Sequence, residues 1–389
     1  MLPQDGWLAD YMTYTDNSEA DPAYHFWTGA MCISATLGRK VYVRSGHTTI
    51  YPNHYILLVG PTGNRKSSAI RIGEDLLEEA GTVHIIPGEL TRRDISAGLK
   101  DEGTGLFVAT EDFGEFLSEE HYKPGLIPFL AQLCEGRMQK RGTTPVSVCF
   151  NLLAEATTQW LHEDAHPAVL GPDFMGLVIL AVAHRHRYLF NPPRRDEKLR
   201  GSLVARLREM APWRGEVPLT PPAAGIMSKW YVGLASGRLR LIDDPRVDEW
   251  YARKQAHALK MCLVLCASQG ATVINQDILE QAIGIIDEVE DRMLDVYLRF
   301  ALLRKDGYRQ LERIVSVLEA APDRTMSHRT LRRRLQHRFE SSGEFQEQME
   351  HLIGWGLVTA YTEEREGPGR RATLYLLEPH VRMLTRNGM

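Results

Sequence analysis

No apolar run in the sequence approaches the roughly 20 residues that a membrane-spanning helix needs; Met175–Ala183 is among the longest. Cysteine is scarce as well. Five residues (Cys32, Cys134, Cys149, Cys262, Cys266) make an odd number, and none forms a Cys-x-x-Cys pair, which argues against a disulfide framework and a cysteine zinc site. Cys262 and Cys266 stand four apart in the apolar run Leu259–Ala267, where core packing accounts for them. Met1-Leu2-Pro3-Gln4-Asp5 has neither the basic start nor the apolar centre of a signal peptide, so a reducing, cytoplasmic setting without a membrane partner is expected. There is no low-complexity tract and no internal repeat. Charge of one sign is not in excess either: the net charge is −4, too small to announce a nucleic-acid binder. It is unevenly spread, however. From Leu303 onward 15 Lys and Arg face 12 Asp and Glu, so the rest of the chain carries −7.

The 389 residues, 43% hydrophobic and 25% charged, suffice for two or three domains with cores of their own. Residues 1–50 read as a helical prelude. Phe26, Ala30, Ile33 and Leu37 share one face of a helix over Ala23–Leu37, and a hairpin follows over Lys40–Arg44 and Thr48–Tyr51. Residues 51–195 alternate short apolar strands (Tyr55–Val59, Val83–Pro87, Gly105–Thr110, Val146–Leu153, Leu177–Ala183 with Tyr188–Phe190) with helices at Ser67–Ala80 and Leu126–Gly136. That alternation predicts a three-layer α/β core with a mostly parallel sheet. Residues 196–305 carry long 3.6-period patterns, Val247–Gln269 and Gln276–Leu302, which predict a helical lid or bundle on that core. Residues 306–389 read as three helices (Leu311–Ala320, His328–Phe339 capped by Ser327, Gly343–Trp355) and then two strands (Leu357–Thr362, Thr373–Leu377) around a Gly- and Arg-rich tip. This is the order of a winged helix.

The segment Gly60-Pro61-Thr62-Gly63-Asn64-Arg65-Lys66-Ser67, with Ser68 behind it, matches the GxxxxGK[ST] phosphate loop except that Arg65 replaces the second glycine. Glycines let consecutive N–H groups turn toward a phosphate, and the following helix start adds its partial positive charge. Lys66 is expected to reach the β- and γ-phosphates of ATP and Ser67 to ligate Mg²⁺, with Lys66 solvated when nucleotide is absent. Leu106–Asp112 is an apolar strand ending in two acids: Glu111 is a candidate to hold Mg²⁺ and Asp112 to polarise the attacking water. Glu89, just beyond the strand Val83–Pro87, is the rival base. Asn151, Thr157 and Thr158, in the strand-like stretch Asn151–Thr158, are candidate sensors of the γ-phosphate. Of the basic cluster His184-Arg185-His186-Arg187, Arg187 is the candidate finger reaching a neighbouring subunit's nucleotide.

With these residues the chain resembles a phage- and plasmid-borne family of P-loop ATPases known as primase-associated or replicative helicases, with a RecA/RepA-like core. The resemblance covers about residues 20–300. It is carried by Tyr51-Pro52-Asn53-His54-Tyr55, the loop with its Arg before Lys-Ser, Leu90-Thr91, Glu111-Asp112, Asn151–Trp160 and the Lys260-bearing apolar helix. It implies an ATPase that forms a homo-oligomeric ring, a hexamer being the first candidate, and acts with single-stranded DNA and other replication proteins. The Glu-Asp order and the lack of a Gly-Phe-x-x-Arg before Arg187 depart from the family pattern. In the C-terminal unit the third helix is acidic. Its basic residues stand on the second helix (Arg329, Arg332, Arg333, Arg334, Arg338) and the wing tip (Arg370, Arg371), which suits phosphate contacts rather than base reading. The expected function is an ATP-hydrolysing DNA helicase or translocase. The alternative is an ATP-controlled initiator, helicase loader or regulator that sits on DNA without processive unwinding.

Overall fold

The computed structural model describes all residues except 1–4, 87–90, 100–103, 110–116, 118–124, 139–145, 164, 166–168, 170, 184–188, 190–195, 241–247, 304–307, 336–338, 340, 355–357, 363–372 and 378–389. The chain forms two compact units: residues 1–241 with 245–293, and residues 242–244 with 294–389. The expected segments 1–50 and 51–195 therefore belong to one unit, together with most of 196–305.

That unit opens with helices α1 (Gly6–Thr15) and α2 (Pro22–Leu37). The sequence reading has no helix before Ala23, yet Trp7, Tyr11 and Tyr14 stand at helical spacing and are all buried. The Trp7 and Tyr11 rings stack with centroids 5.1 Å apart. α2 starts where its residues dictate: the Asp21 carboxylate accepts the Ala23 N–H at 2.8 Å, Pro22 occupies the first turn, and Gly38 closes the helix at φ +57. Every residue from Tyr24 to Leu37 is buried, so α2 is a central helix rather than a prelude.

The hairpin β1 (Val41–Ser45) and β2 (Thr48–Ile50) leads into β3 (Tyr55–Val59) and α3 (Lys66–Ala80). Next come β4 (Ile85–Ile86), α4 (Arg92–Gly98), β5 (Thr104–Ala109), α5 (Leu126–Cys134), β6 (Arg137–Met138), β7 (Val146–Ser147) and β8 (Cys149–Ala156). Then follow α6 (Thr158–Glu163), α7 (Pro172–Met175) and β9 (Val178–Val182). The fold is mixed α/β. Its main sheet has five strands in the order β4-β5-β8-β3-β9, and all neighbours are parallel. All five residues of β3 and of β9 are buried, as strands covered on both faces require. From β3 the chain leaves for the β4 edge, returns strand by strand to β8, and crosses β3 to reach β9. β3 is thus the switch point of the sheet, where open α/β sheets form a crevice at the carboxyl ends of their strands.

The remaining helices, α8 (Glu197–Met210), α9 (Pro221–Ala235), α10 (Asp248–Gln269) and α11 (Gln276–Leu303), are accompanied by β10 (Gly215–Glu216). Up to Met293, the last residue of the first unit, they are built into the same body. Trp7 Nε1 donates to Leu203 O on α8 at 2.9 Å, Arg206 of α8 donates to Ser268 O on α10 at 3.2 Å, and β10 pairs with β1.

The second unit contains α12 (Tyr308–Glu319), β11 (Thr325–Ser327), α13 (His328–Leu335), α14 (Ser342–Gly354), β12 (Val358–Thr362) and β13 (Thr373–Leu377). Its antiparallel sheet has the order β11-β13-β12. Leu318, Leu331, Phe345, Met349, Val358 and Leu377 are among the residues that fill its core. Ser327 caps α13 as expected, accepting the Thr330 N–H at 3.3 Å. The short β11, which the sequence reading does not contain, pairs with β13 just before that cap.

Candidate functional site

The loop Gly60–Arg65 leaves β3 at the carboxyl edge of the sheet and enters α3 at Lys66. Three constraints shape it. Gly60 has no room for a side chain, because an added Cβ would collide with Tyr24 Oη and stand 2.5 Å from Ala183 O. Gly63 adopts φ +85, where glycine carries no steric cost. Arg65, in place of the usual glycine, also sits in the left-handed region, at φ 59 and ψ 26. An L-residue there costs about 1 kcal/mol. Its side chain turns outward and is held by Glu19, with both Nε and Nη2 at 2.8 Å from Oε2. The departure from the motif is thus accommodated: the backbone keeps the glycine-like turn, and the guanidinium is anchored away from the loop.

Behind the loop the Tyr24 hydroxyl lies 2.9 Å from Val59 O and 2.8 Å from Ala183 O, and Asn64 Nδ2 donates to Ala183 O at 3.3 Å. Burial, above all, raises the Tyr24 phenol well above its ordinary value, so it stays protonated as the donor. These bonds tie the ends of β3 and β9 to α2. Asn64 is buried as a structural prop, whereas Pro61, Thr62, Gly63 and Ser68 are exposed around the mouth.

On the open side, among the described residues no backbone carbonyl accepts from the N–H groups of Gly63, Arg65, Lys66, Ser67 or Ser68. Lys66 is not solvated as expected: it is only 6% exposed, and its ammonium folds back to donate to Gly60 O and Pro61 O, both at 3.0 Å. The long side chain finds two carbonyl acceptors across the loop, and that contact covers it. Burial lowers its pKa, while the negative charge of Glu155 opposes the shift. Ser67 Oγ donates to Glu155 Oε1 at 2.8 Å. The result is a row of outward N–H groups at a helix N-terminus, with an ammonium and a hydroxyl-carboxylate pair beside it. The chemistry of such a cradle suits an anion and, next to it, a hard cation.

Glu155 is the residue that sequence reasoning missed. It lies inside the sensor-like stretch, and its signal is an apolar strand with a carboxylate at its last position but one, just before Thr157-Thr158. The register pairs Glu155 with Leu58, which brings its side chain to the loop edge. The three residues expected as sensors part company. Asn151 stands at the opposite end of the strand, fully buried, with Oδ1 accepting the His54 N–H at 3.1 Å. It props the start of β3 and does not reach the loop. Thr157 directly follows β8, next to Gly60, whose N–H donates to Ala156 O at 3.3 Å. Its hydroxyl oxygen accepts the Trp160 N–H at 3.0 Å, which leaves its proton for another acceptor. Thr158 begins α6. Glu89, Glu111, Asp112 and Arg187 lie outside the described residues; β5 runs to Ala109, level with Ala154 and Leu57 near the loop edge.

In the second unit Arg329, Arg332, Arg333 and Arg334 are exposed on α13, while Leu331 and Leu335 of the same helix are buried. Arg338, Arg370 and Arg371 lie outside the described residues. Among the described residues no helix is long and apolar enough to cross a membrane. No group of three or more His, Cys, Asp and Glu there could hold a metal ion. A Mg²⁺ held by one serine, phosphate oxygens and water needs no such group.

No protein-family model matches the chain, and no curated protein matches it.

Proposed function

We propose that the chain is an ATP-hydrolysing, oligomeric DNA helicase or translocase of the RecA-like P-loop type, with a winged-helix unit at its C-terminus, acting in the replication of a phage or mobile element. One observation carries the reading. The Gly60–Ser67 loop joins the carboxyl end of the switch-point strand to a helix, and its Lys66 and Ser67 lie beside a carboxylate on the neighbouring strand. In this reading the loop N–H groups hold the β-phosphate of ATP. Lys66 would turn from the two carbonyls to the β- and γ-phosphates, and Ser67 would be the protein group that holds Mg²⁺. A bound Mg²⁺ supplies charge neutralisation of the phosphate chain.

The sheet order supports the RecA-like assignment. β8 lies between the loop strand and β5, the strand that Glu111 and Asp112 follow in sequence. Thr157 is the retained sensor candidate, and Glu155 is a carboxylate the nucleotide-bound metal would meet. The helices and antiparallel sheet of the second unit support the winged helix. The exposed Arg329, Arg332, Arg333 and Arg334 support phosphate contacts by its second helix.

The test is ATP turnover by the full chain with and without single-stranded DNA, together with strand separation on a forked duplex. DNA-stimulated turnover coupled to separation is expected. Turnover with DNA binding but no separation assigns the initiator or loader class instead.

A further inference from the structure

A second cavity, of about 560 Å³, opens at the other end of the parallel sheet. It is lined by Asn53, just before β3, and Leu177, just before β9, so a full strand, roughly 16 Å, separates it from Gly60. Its charged lining is one-sided: Arg39, Arg137, Arg253 and Lys260 against Glu135.

Lys260 is the telling group. It is 9% exposed, and its ammonium donates to Asn53 O at 2.6 Å with Cys134 Sγ at 4.0 Å. Among the described residues no carboxylate pairs with it. Lys254, on the same helix and also buried, shows the usual solution, with Glu290 and Asp287 as counter-charges. An ammonium withdrawn from water without a counter-charge is costly, and here it faces a cavity that an anion can enter. Arg39 is preset for the same task. Its Nη1 is held by Gly136 O and Val148 O at 3.3 and 3.2 Å with the guanidinium 4.0 Å over the Tyr51 ring, leaving Nη2 and Nε to donate. Arg137 is exposed at the rim, and Arg253 keeps a loose contact with Glu249 at 3.7 Å.

One more buried residue belongs to this lining. His257 lines the cavity and is 4% exposed; its Nε2 is engaged by Gly176 O at 3.0 Å, and its Nδ1 has no partner among the described residues. With the proton on Nε2, Nδ1 is an acceptor set among cations. Beside its cations the cavity is lined by His47, Thr48, Thr49 and Asn53, and phosphate next to neutral polar groups is the chemistry of a nucleotide unit.

We propose that this cavity is a second phosphate-binding site, separate from the Gly60–Ser67 loop, that takes a nucleotide unit, either within a single strand or free. The strand source rests on the translocase reading above; the site itself does not.

The test uses full-length protein carrying Lys66→Ala, to disable the loop, and Arg332→Ala, Arg333→Ala and Arg334→Ala, to silence the second unit. Binding of fluorescein-labelled dT20 is followed by anisotropy and binding of dTMP by calorimetry, each with and without Lys260→Met. Weakening of dT20 binding by about tenfold, the scale of one charge-assisted hydrogen bond, is expected. The melting temperature should change little, because methionine removes an ammonium that has no carboxylate partner among the described residues while giving up its bond to Asn53 O. A purely structural lysine would instead lower the melting temperature and leave binding alone. Should Lys260→Met fail to fold, the exposed Arg137→Ala carries the same expectation. Loss of dTMP binding with dT20 unaffected supports the site and assigns it to a free nucleotide. Unchanged binding of both probes in both variants overturns the proposal. Because the loop is disabled throughout, these outcomes do not depend on whether the chain hydrolyses ATP.

Discussion

Tyr24 and Gly60 should be thermodynamically coupled, because the space glycine leaves at the loop is filled by the tyrosine hydroxyl. Tyr24→Phe removes a donor shared by two buried carbonyls, yet each keeps another partner: Val59 O retains the Ala183 N–H at 3.0 Å and Ala183 O retains Asn64 Nδ2 at 3.3 Å. Its cost should therefore be about 1–2 kcal/mol. Gly60→Ala forces a methyl against Tyr24 Oη and to within 2.5 Å of Ala183 O, an overpacking that costs about 1–3 kcal/mol if the loop shifts to absorb it. In the double variant the worst contact is gone, while the approach to the Ala183 carbonyl remains. The double variant should thus be less destabilised than the sum of the singles by about 1 kcal/mol or more, without full recovery. Urea denaturation midpoints of the four proteins measure this. Binding of a fluorescent ATP analogue should follow the same order, since the shift moves the loop. Additivity to within about 0.5 kcal/mol would refute the idea that Tyr24 sets the need for glycine.

Glu155→Gln should preserve the Ser67 hydrogen bond to an amide oxygen but lose the charge beside Lys66. ATP hydrolysis should fall by about tenfold or more and the Mg²⁺ needed for half-maximal rate should rise; unchanged Mg²⁺ dependence would remove Glu155 from the site. The His257 imidazole is pushed down to about 3, by burial first and then by the charge of Lys260. The unfolded imidazole takes up a proton below about pH 6.5 and the folded one does not. Its stabilisation is therefore full above that pH and is lost as pH falls toward 3, on the order of 3 kcal/mol by pH 4. Buried His54, lowered chiefly by desolvation, acts in the same direction. Denaturation midpoints of His257→Phe between pH 7 and 4 should show a shallower acid limb than wild type, and identical limbs would contradict the assignment. Changing Arg332, Arg333 and Arg334 together to Glu should weaken DNA binding at all sequences alike and lower the salt slope by about three. An unchanged slope would make that unit a protein-contact module.

Strong local patterns made most of the fold legible. The apolar run Tyr55–Val59 followed by Gly-Pro-Thr-Gly marks a buried strand and its turn, and the 3.6 period of Gln276–Leu302 marks a long helix. The short α1 was lost because its few buried aromatics span only two turns, and β11 because three residues carry no period of their own. At the site, Lys66 and Ser67 were readable from spacing alone. Their surroundings were not: Tyr24 and Glu19 approach the loop from 30 or more residues upstream. Glu155 becomes a neighbour of Ser67 only through the register of β3 on β8. Sensor candidacy could not be sorted in sequence for the same reason, since Asn151 and Thr157 share one strand-like stretch and only its direction in the sheet separates a buried prop from a loop-edge hydroxyl. Arg65 looked like a defect in the motif, and the compensating Glu19 is visible only in three dimensions.

The central claim is that Gly60–Ser67 works on ATP, and the most direct measurement is Mg²⁺-dependent ATP hydrolysis by purified wild-type and Lys66→Ala protein, with melting temperatures recorded alongside. Lys66 supplies the one loop ammonium positioned to meet the transferring phosphoryl group, so its removal should lower turnover by about a hundredfold or more. The melting temperature should not fall, because among the described residues the lost side chain bonds only the Gly60 and Pro61 carbonyls of the loop itself. A Lys66→Ala protein that hydrolyses ATP at the wild-type rate would contradict the account.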